Sequence, residues 1–250
     1  MIKINILMPY WDGDCEFRRQ NAKIAWNEIK KLVIFLRENE IDASCYLFEI
    51  GERFIFDDSI KIVFKSEYFD KCKRNNMMIN HSINDGVELF MFSDADCFFS
   101  PSQYPEILAD IQSISGNHKF FTYNLLDIEQ NQKGDVFISE FDIDYIKLDE
   151  MNKNENFIWR HSWGAGTLGG FFMCPFNDIK KINGFNENVL TWGADDDEAH
   201  VRLKTVCVWE PKMWRGPYHL YHPKDYTDPK FYIPVFTEEY YAINKIPRIN

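Results

Sequence analysis

Apolar and polar positions alternate between two periods along this chain. Ile2 to Met8 is rich in large apolar residues and stops at Pro9-Tyr10, which predicts a largely buried strand beginning almost at Met1. A polar loop follows, Trp11-Asp12-Gly13-Asp14. From about Cys15 to Leu36, the residues Ala25, Ile29, Leu32, Val33 and Leu36 fall at three- and four-residue spacings, so this stretch predicts an amphipathic helix. Ser44 to Ile50 predicts a second strand, and Ile60 to Phe64 a weaker strand or an extended loop. Tyr68 to Asn84 predicts a second helix, with Met77, Met78 and Ile79 turned inward. Val87 to Phe92 is apolar except for Glu88, as a central parallel strand requires. The order strand, helix, strand, helix, strand is that of an α/β layer.

The second half carries the pattern less evenly. Pro105 to Ser113 predicts a helix and Lys119 to Tyr123 a strand. Asp127 to Glu155 is polar, acidic and irregular, apart from an alternating stretch from Val136 to Ile146. Gly164 to Gly170 is rich in glycine, Phe171 to Cys174 predicts a strand, and Asn177 to Ile182 a short helix stopped by Asn183-Gly184. Asp195 to Val206 predicts a helix with three Asp in its first turn, where the helix dipole favours them. The last 35 residues, rich in Tyr, Pro and His, read as a wrapping tail. With no repeat, low-complexity linker or break in composition, residues 1–250 read as a single domain.

Composition narrows the function classes. Lys and Arg number 28 against 39 Asp and Glu, a net charge of −11, which argues against a nucleic-acid partner and against docking on an anionic membrane. Such a balance fits a chain that holds a cation or gathers carboxylates for chemistry. Apolar runs such as Leu89 to Phe92 fall far short of the ~18 residues that a membrane span needs, so no integral membrane segment is expected. No signal peptide is evident. Six cysteines without C-x-x-C spacing read as reduced, buried residues of a cytoplasmic protein.

The acids have positions that carry chemistry. Asp94-Ala95-Asp96 follows directly on the strand Val87 to Phe92. Residues i and i+2 of an extended segment face the same way, so both carboxylates point from the carboxyl edge of the sheet, where open α/β sheets bind ligands. Paired carboxylates there suit a divalent cation and the phosphates it bridges, although D-x-D also occurs in ordinary polar turns. Trp192-Gly193-Ala194 runs into Asp195-Asp196-Asp197-Glu198, four acids of which helix capping explains one or two. A carboxylate among acidic neighbours is a better base. His219 and His222, in Tyr-His-Leu-Tyr-His-Pro, are candidates to complete a metal shell, or to stack within an aromatic tail. His81, His118, His161 and His200 have no evident partners in the sequence. Arg18-Arg19 lies after the first strand, where an Arg can pair with phosphate or simply be solvated. No G-x-G-x-x-G follows the first strand and no Walker A motif is present, which argues against dinucleotide and P-loop readings.

Together these features resemble GT-A glycosyltransferases that use nucleotide sugars. The order and spacing are similar to those of β-1,4-galactosyltransferases, polypeptide N-acetylgalactosaminyltransferase catalytic domains and bacterial chondroitin-polymerase-like enzymes, from Pro9 to His222. The most specific part runs from Gly169-Gly170-Phe171 through Ile182-Asn183-Gly184-Phe185 to Trp192-Gly193-Ala194-Asp195-Asp196-Asp197, close to G-G, I-N-G-F and W-G-G-E-D-D. Ala194 replaces a Gly and Asp195 a Glu. The resemblance implies an α/β fold, a GT-A (Rossmann-like) mixed and mostly parallel sheet flanked by helices. Its nucleotide-binding half covers about residues 1–100 and its acceptor-binding half about 101–250.

The resemblance also implies roles. Asp94 and Asp96 hold Mn²⁺ (or Mg²⁺) with His222, or with His219 in its stead. Pro9, Tyr10, Asp12, Arg18, Asn80, Asp94 and Ala95 fall on the side of the nucleotide-sugar donor, for which UDP is the usual carrier. Asn75 and Asn76 share the F-N-R-A-K-L-L-N segment in which Asn80 alone aligns cleanly. Trp11 stands where the family usually has Arg, which leaves Arg18 or Arg19 to grip the nucleotide. Asp196 corresponds to the catalytic base, Gly170, Trp192, Asp195 and Asp197 to the acceptor side, and Trp192 to a mobile loop. The implied activity is inverting transfer of a hexose or N-acetylhexosamine to a glycan or glycolipid acceptor in polysaccharide biosynthesis. A phosphohydrolase of the haloacid type normally carries D-x-D after its first strand, with a Thr that Phe98 replaces. A sugar nucleotidyltransferase needs a Gly-rich basic N-terminal loop. A carbohydrate-binding module accounts for the aromatics but leaves Asp196 without a task.

Overall fold

The computed structural model describes residues 1–11, 15–66, 70–83, 86–128, 138, 142–153, 159–160, 169–190 and 195–222. Its strands are β1 (Lys3–Tyr10), β2 (Asp42–Gly51), β3 (Ile60–Val63), β4 (Leu89–Ser93), β5 (Cys97–Phe98), β6 (Lys119–Ile128), β7 (Trp159–Arg160), β8 (Phe171–Pro175) and β9 (Val208–Leu220). The helices are α1 (Glu16–Glu38), α2 (Lys71–Ser82), α3 (Tyr104–Ile114), α4 (Tyr145–Lys153), α5 (Phe176–Lys181) and α6 (Asp195–Leu203).

All nine strands join one sheet, ordered β3-β2-β1-β4-β8-β6-β9-β5, with β7 paired to β6. Strands β1, β2, β3, β4, β6 and β9 run one way, and β5, β7 and β8 oppose them. The sheet is therefore mixed and mostly parallel, as the sequence predicts. The period of two along the strands decides which helices cover which face. Ile4, Ile6 and Met8 of β1, with Leu89 and Met91 of β4, pack on α1 and α3. Leu7, Phe90 and Phe92 face the other way, onto Met78 of α2, Ile179 of α5 and Ala199 and Leu203 of α6. A third cluster, Phe98, Leu126, Tyr218 and Leu220, is covered by Leu148 and Met151 of α4. Burial on both faces explains why β1 and β4 read as apolar runs.

Two readings of the second half change. Asp127 to Glu155 is not irregular throughout, because β6 extends to Ile128 and α4 forms over Tyr145–Lys153. The start of the tail is strand β9, parallel to β6 over most of its length. Pro211, Gly216 and Pro217 break the strand pattern in the sequence, yet the register shifts at Tyr123 and Asn124 absorb them. A side chain at Gly216 would meet Asn124 O at 2.1 Å, so only glycine allows this approach. Residues 129–137, 161–168 and 223–250, which hold part of the acidic segment, most of the glycine-rich run and the rest of the tail, lie outside the described residues.

Candidate active site

The chain climbs β1, moves outward through β2 and β3, then returns to β4 on the other side of β1. This reversal opens the crevice where doubly wound sheets bind ligands. Asp94 to Asp96 leaves the carboxyl end of β4 and turns at once into β5, whose Cys97 pairs with His219. Leu220 N donates to Asp96 O at 2.8 Å, so the ladder itself brings Asp96 to His219. His219 Nε2 lies 3.6 Å from Asp96 Oδ1, and His222 Nε2 lies 3.1 Å from Asp96 Oδ2. One ligand atom from each of the three residues fits within 4.8 Å of the others. Burial pushes the Asp96 pKa up, but His219 and then His222 outweigh it, holding the carboxyl well below the ordinary carboxylate range. Two imidazoles and one carboxylate suit a divalent transition ion such as Mn²⁺ better than Mg²⁺, which prefers oxygen. His222 and His219 both converge on Asp96.

Outer contacts hold the histidines. His219 Nδ1 lies 2.7 Å from Asp127 Oδ1, and Asp127 stands opposite His219 in the β6–β9 register. Buried Asn21 of α1 donates from Nδ2 to Tyr221 O at 2.9 Å, tying down the segment between the two histidines.

Asp94 turns elsewhere. Its Oδ2 accepts from Gly170 N at 3.0 Å, and its own N donates to Gly170 O at 2.7 Å. Gly170 has φ +86°, and a Cβ there would lie 2.4 Å from Leu125 Cδ1. Asp94 Oδ1 also lies 3.6 Å from Lys71 Nζ, which donates at 3.2 Å to both carboxylate oxygens of Asp196. Lys71 therefore links the D-x-D segment to the acid expected as base. Asp70 N donates to Leu190 O at 3.0 Å, fixing the start of α2 against the approach to α6. A cation in the first turn of a helix opposes its dipole, and α2 has no acid there. That conflict was the available signal for Lys71, which sequence reasoning missed.

The four acids opening α6 divide. Asp196 faces Lys71, whereas Glu198 binds Arg202 at 2.6 Å from Oε1 to Nε. Arg202 also donates from Nη1 to Ile182 O at 2.6 Å and Gly184 O at 2.8 Å, so Glu198 serves the I-N-G-F turn. Asn76 holds the same turn, accepting from Phe185 N and donating to Phe185 O. Asp195 and Asp197 lie on the first turn of α6, and Asp12 and Trp192 lie outside the described residues.

Around the end of β1, Tyr10 is buried edge-on against Phe56, Pro9 is half-buried, and Trp11 closes the strand. The cation facing this end is Arg74, with its guanidinium 6.0 Å from the Trp11 ring and 5.2 Å from Phe64. Burial lowers its pKa to about 10. Arg18 is half-buried on α1, and Arg19 pairs with Glu16 at 3.0 Å. Ala95 packs against the core. Asn80 is exposed near the far end of α2, nine residues from Lys71 or about 13 Å along the axis, and is not brought to the site. His118 meets Asp178 at 3.0 Å, and His200 packs on Phe120 and Trp209, so both have structural partners.

Sheet order and site define a GT-A fold, the fold of many nucleotide-sugar glycosyltransferases. Within that class the likeness is to galactosyltransferases: a family model described as the N-terminal domain of galactosyltransferase matches residues 151–223. The solved catalytic domain of Drosophila β1,4-galactosyltransferase 7, in complex with xylobiose, aligns with TM-score 0.50 and 13% identity, over 98% of this chain and 80% of that one. Staphylococcus aureus TarS (residues 1–349) aligns with TM-score 0.54 and 9% identity, over 88% of this chain and 60% of that one. No curated protein sequence matches. Among the described residues no helix is long and apolar enough to cross a membrane.

Proposed function

We propose that the chain is a divalent-cation-dependent, inverting glycosyltransferase. It moves a hexose or N-acetylhexosamine from a UDP-sugar to a hydroxyl of a glycan or glycolipid. The observation that carries this reading is the convergence of two sets of groups at one sheet edge: Asp96, His219 and His222 beside Asp94, Lys71 and Asp196. The first set would hold Mn²⁺, which when bound neutralises charge on the departing diphosphate. Lys71 holds the Asp196 carboxylate between the two halves of the site. Asp196 takes the proton of the acceptor hydroxyl. As that oxygen bonds to the anomeric carbon, the bond from the anomeric carbon to the diphosphate oxygen breaks. The electron pair leaves with UDP, and configuration inverts. Tyr10, Trp11 and Arg74 surround the proposed nucleotide position. Xylobiose in the Drosophila structure supports a saccharide acceptor. The whole chain acts as one GT-A unit, and its free cysteines fit the reducing cytoplasm, the setting we assign to polysaccharide assembly.

The test is UDP release from a panel of UDP-sugars with Mn²⁺, with and without saccharide acceptors. Release that depends on acceptor supports transfer. Equal release in both arms makes the chain a hydrolase, and no release with any donor overturns the reading.

A further inference from the structure

A neutral imidazole carries one N–H and one lone pair, and only the lone-pair nitrogen can bind a cation. In His219 the two nitrogens meet different surroundings. Nε2 faces Asp96 and the cation position, whereas Nδ1 lies 2.7 Å from Asp127 Oδ1. The backbone makes this arrangement reproducible, since β6 and β9 run parallel with Asp127 opposite His219, and β5 pins His219 from its other side. Asp127 itself lies outside the cluster of three ligands.

We propose that Asp127 is a positioning residue for the metal centre: its carboxylate accepts from the Nδ1–H of His219, which keeps that tautomer and aims the Nε2 lone pair at the cation. This deepens the metal-dependent reading above and rests on it. The chemistry is that of carboxylate–histidine–metal arrangements, in which the outer carboxylate sets ring orientation and ligand basicity. Asparagine is the informative replacement. Its amide can donate to Nδ1, which moves the ring proton to Nε2 and blocks the ligand nitrogen.

Calorimetric titration of Mn²⁺ into the full chain, with UDP present, tests this in wild type, Asp127→Asn and Asp96→Asn. We expect Asp127→Asn to bind Mn²⁺ about 10- to 100-fold more weakly, with the melting temperature of the metal-free protein little changed. Equal affinity in wild type and Asp127→Asn overturns the role of Asp127 while the metal site stands. Failure of the wild type to bind Mn²⁺ overturns the metal site itself. Should Asp127→Asn not fold, ¹⁵N-resolved histidine spectra of the metal-free wild type decide the matter, with His219→Gln assigning the resonance. Protonated Nδ1 on neutral His219 supports the proposal, and protonated Nε2 contradicts it.

Discussion

The two ends of the site are built differently. The cation end rests on strands: Asp96 and His219 are fixed by the β5–β9 ladder, and Asn21 and Asp127 hold what lies around them. Both imidazoles are buried, at 8% side-chain exposure. The base end rests on helix starts, with Lys71 opening α2 and Asp196 near the start of α6, and one ammonium joins them. Asp196 keeps 19% exposure. A site fixed by backbone hydrogen bonds is formed before its ligand arrives, whereas a site fixed by a side-chain ion pair can exchange that pair for substrate. Loss at the cation end should therefore be all-or-none, and loss at the base end graded.

The largest effect should follow from breaking the cation end. Asp96→Asn, or EDTA added to the wild type, should remove transfer altogether, and full activity in EDTA would contradict the metal reading. At the base end, Asp196→Asn should lower kcat by about 10²- to 10⁴-fold while UDP-sugar binding stays within about twofold, measured by steady-state kinetics and calorimetry. An active Asp196→Asn protein removes Asp196 from the role of base. Lys71→Met should lower kcat by about 10-fold, with Lys71→Arg recovering part of it, because a charge-assisted bond to one carboxylate contributes on the order of 1.5–3 kcal/mol at most. The smallest effect on chemistry should come from the scaffold beneath Asp196. Arg202→Ala takes the guanidinium from two carbonyls and from Glu198, which keeps Asn186 Nδ2 at 3.2 Å, and should cost about 2 kcal/mol of stability in urea unfolding.

These two ends also differed in how far the sequence exposed them. Asp96 was legible because a D-x-D after an apolar run puts carboxylates at a sheet edge. The two histidines were legible as candidates, but their joint approach to Asp96 depends on β9, which Pro211, Gly216 and Pro217 disguise. Asp127 read as the start of an irregular acidic stretch, since its pairing with His219 is a property of register and not of local pattern. At the base end the acidic run stood out, yet nothing local separates Asp196, which meets Lys71, from Glu198, which serves Arg202. Asp94 and Asp96 share one motif but take separate partners, because the chain turns into β5 immediately after them. The first half of the fold was the more readable, its strands being buried on both faces and therefore continuously apolar.

The central claim is that Asp96, His219 and His222 together hold a divalent cation. Pulsed electron paramagnetic resonance of the Mn²⁺-loaded chain tests it most directly, through nitrogen couplings of bound imidazole. The account predicts couplings from two imidazoles in the wild type, from one in His219→Gln and from one in His222→Gln, with His118→Gln unchanged. A Mn²⁺ spectrum without nitrogen coupling, or one unaltered by both ligand substitutions, would contradict it.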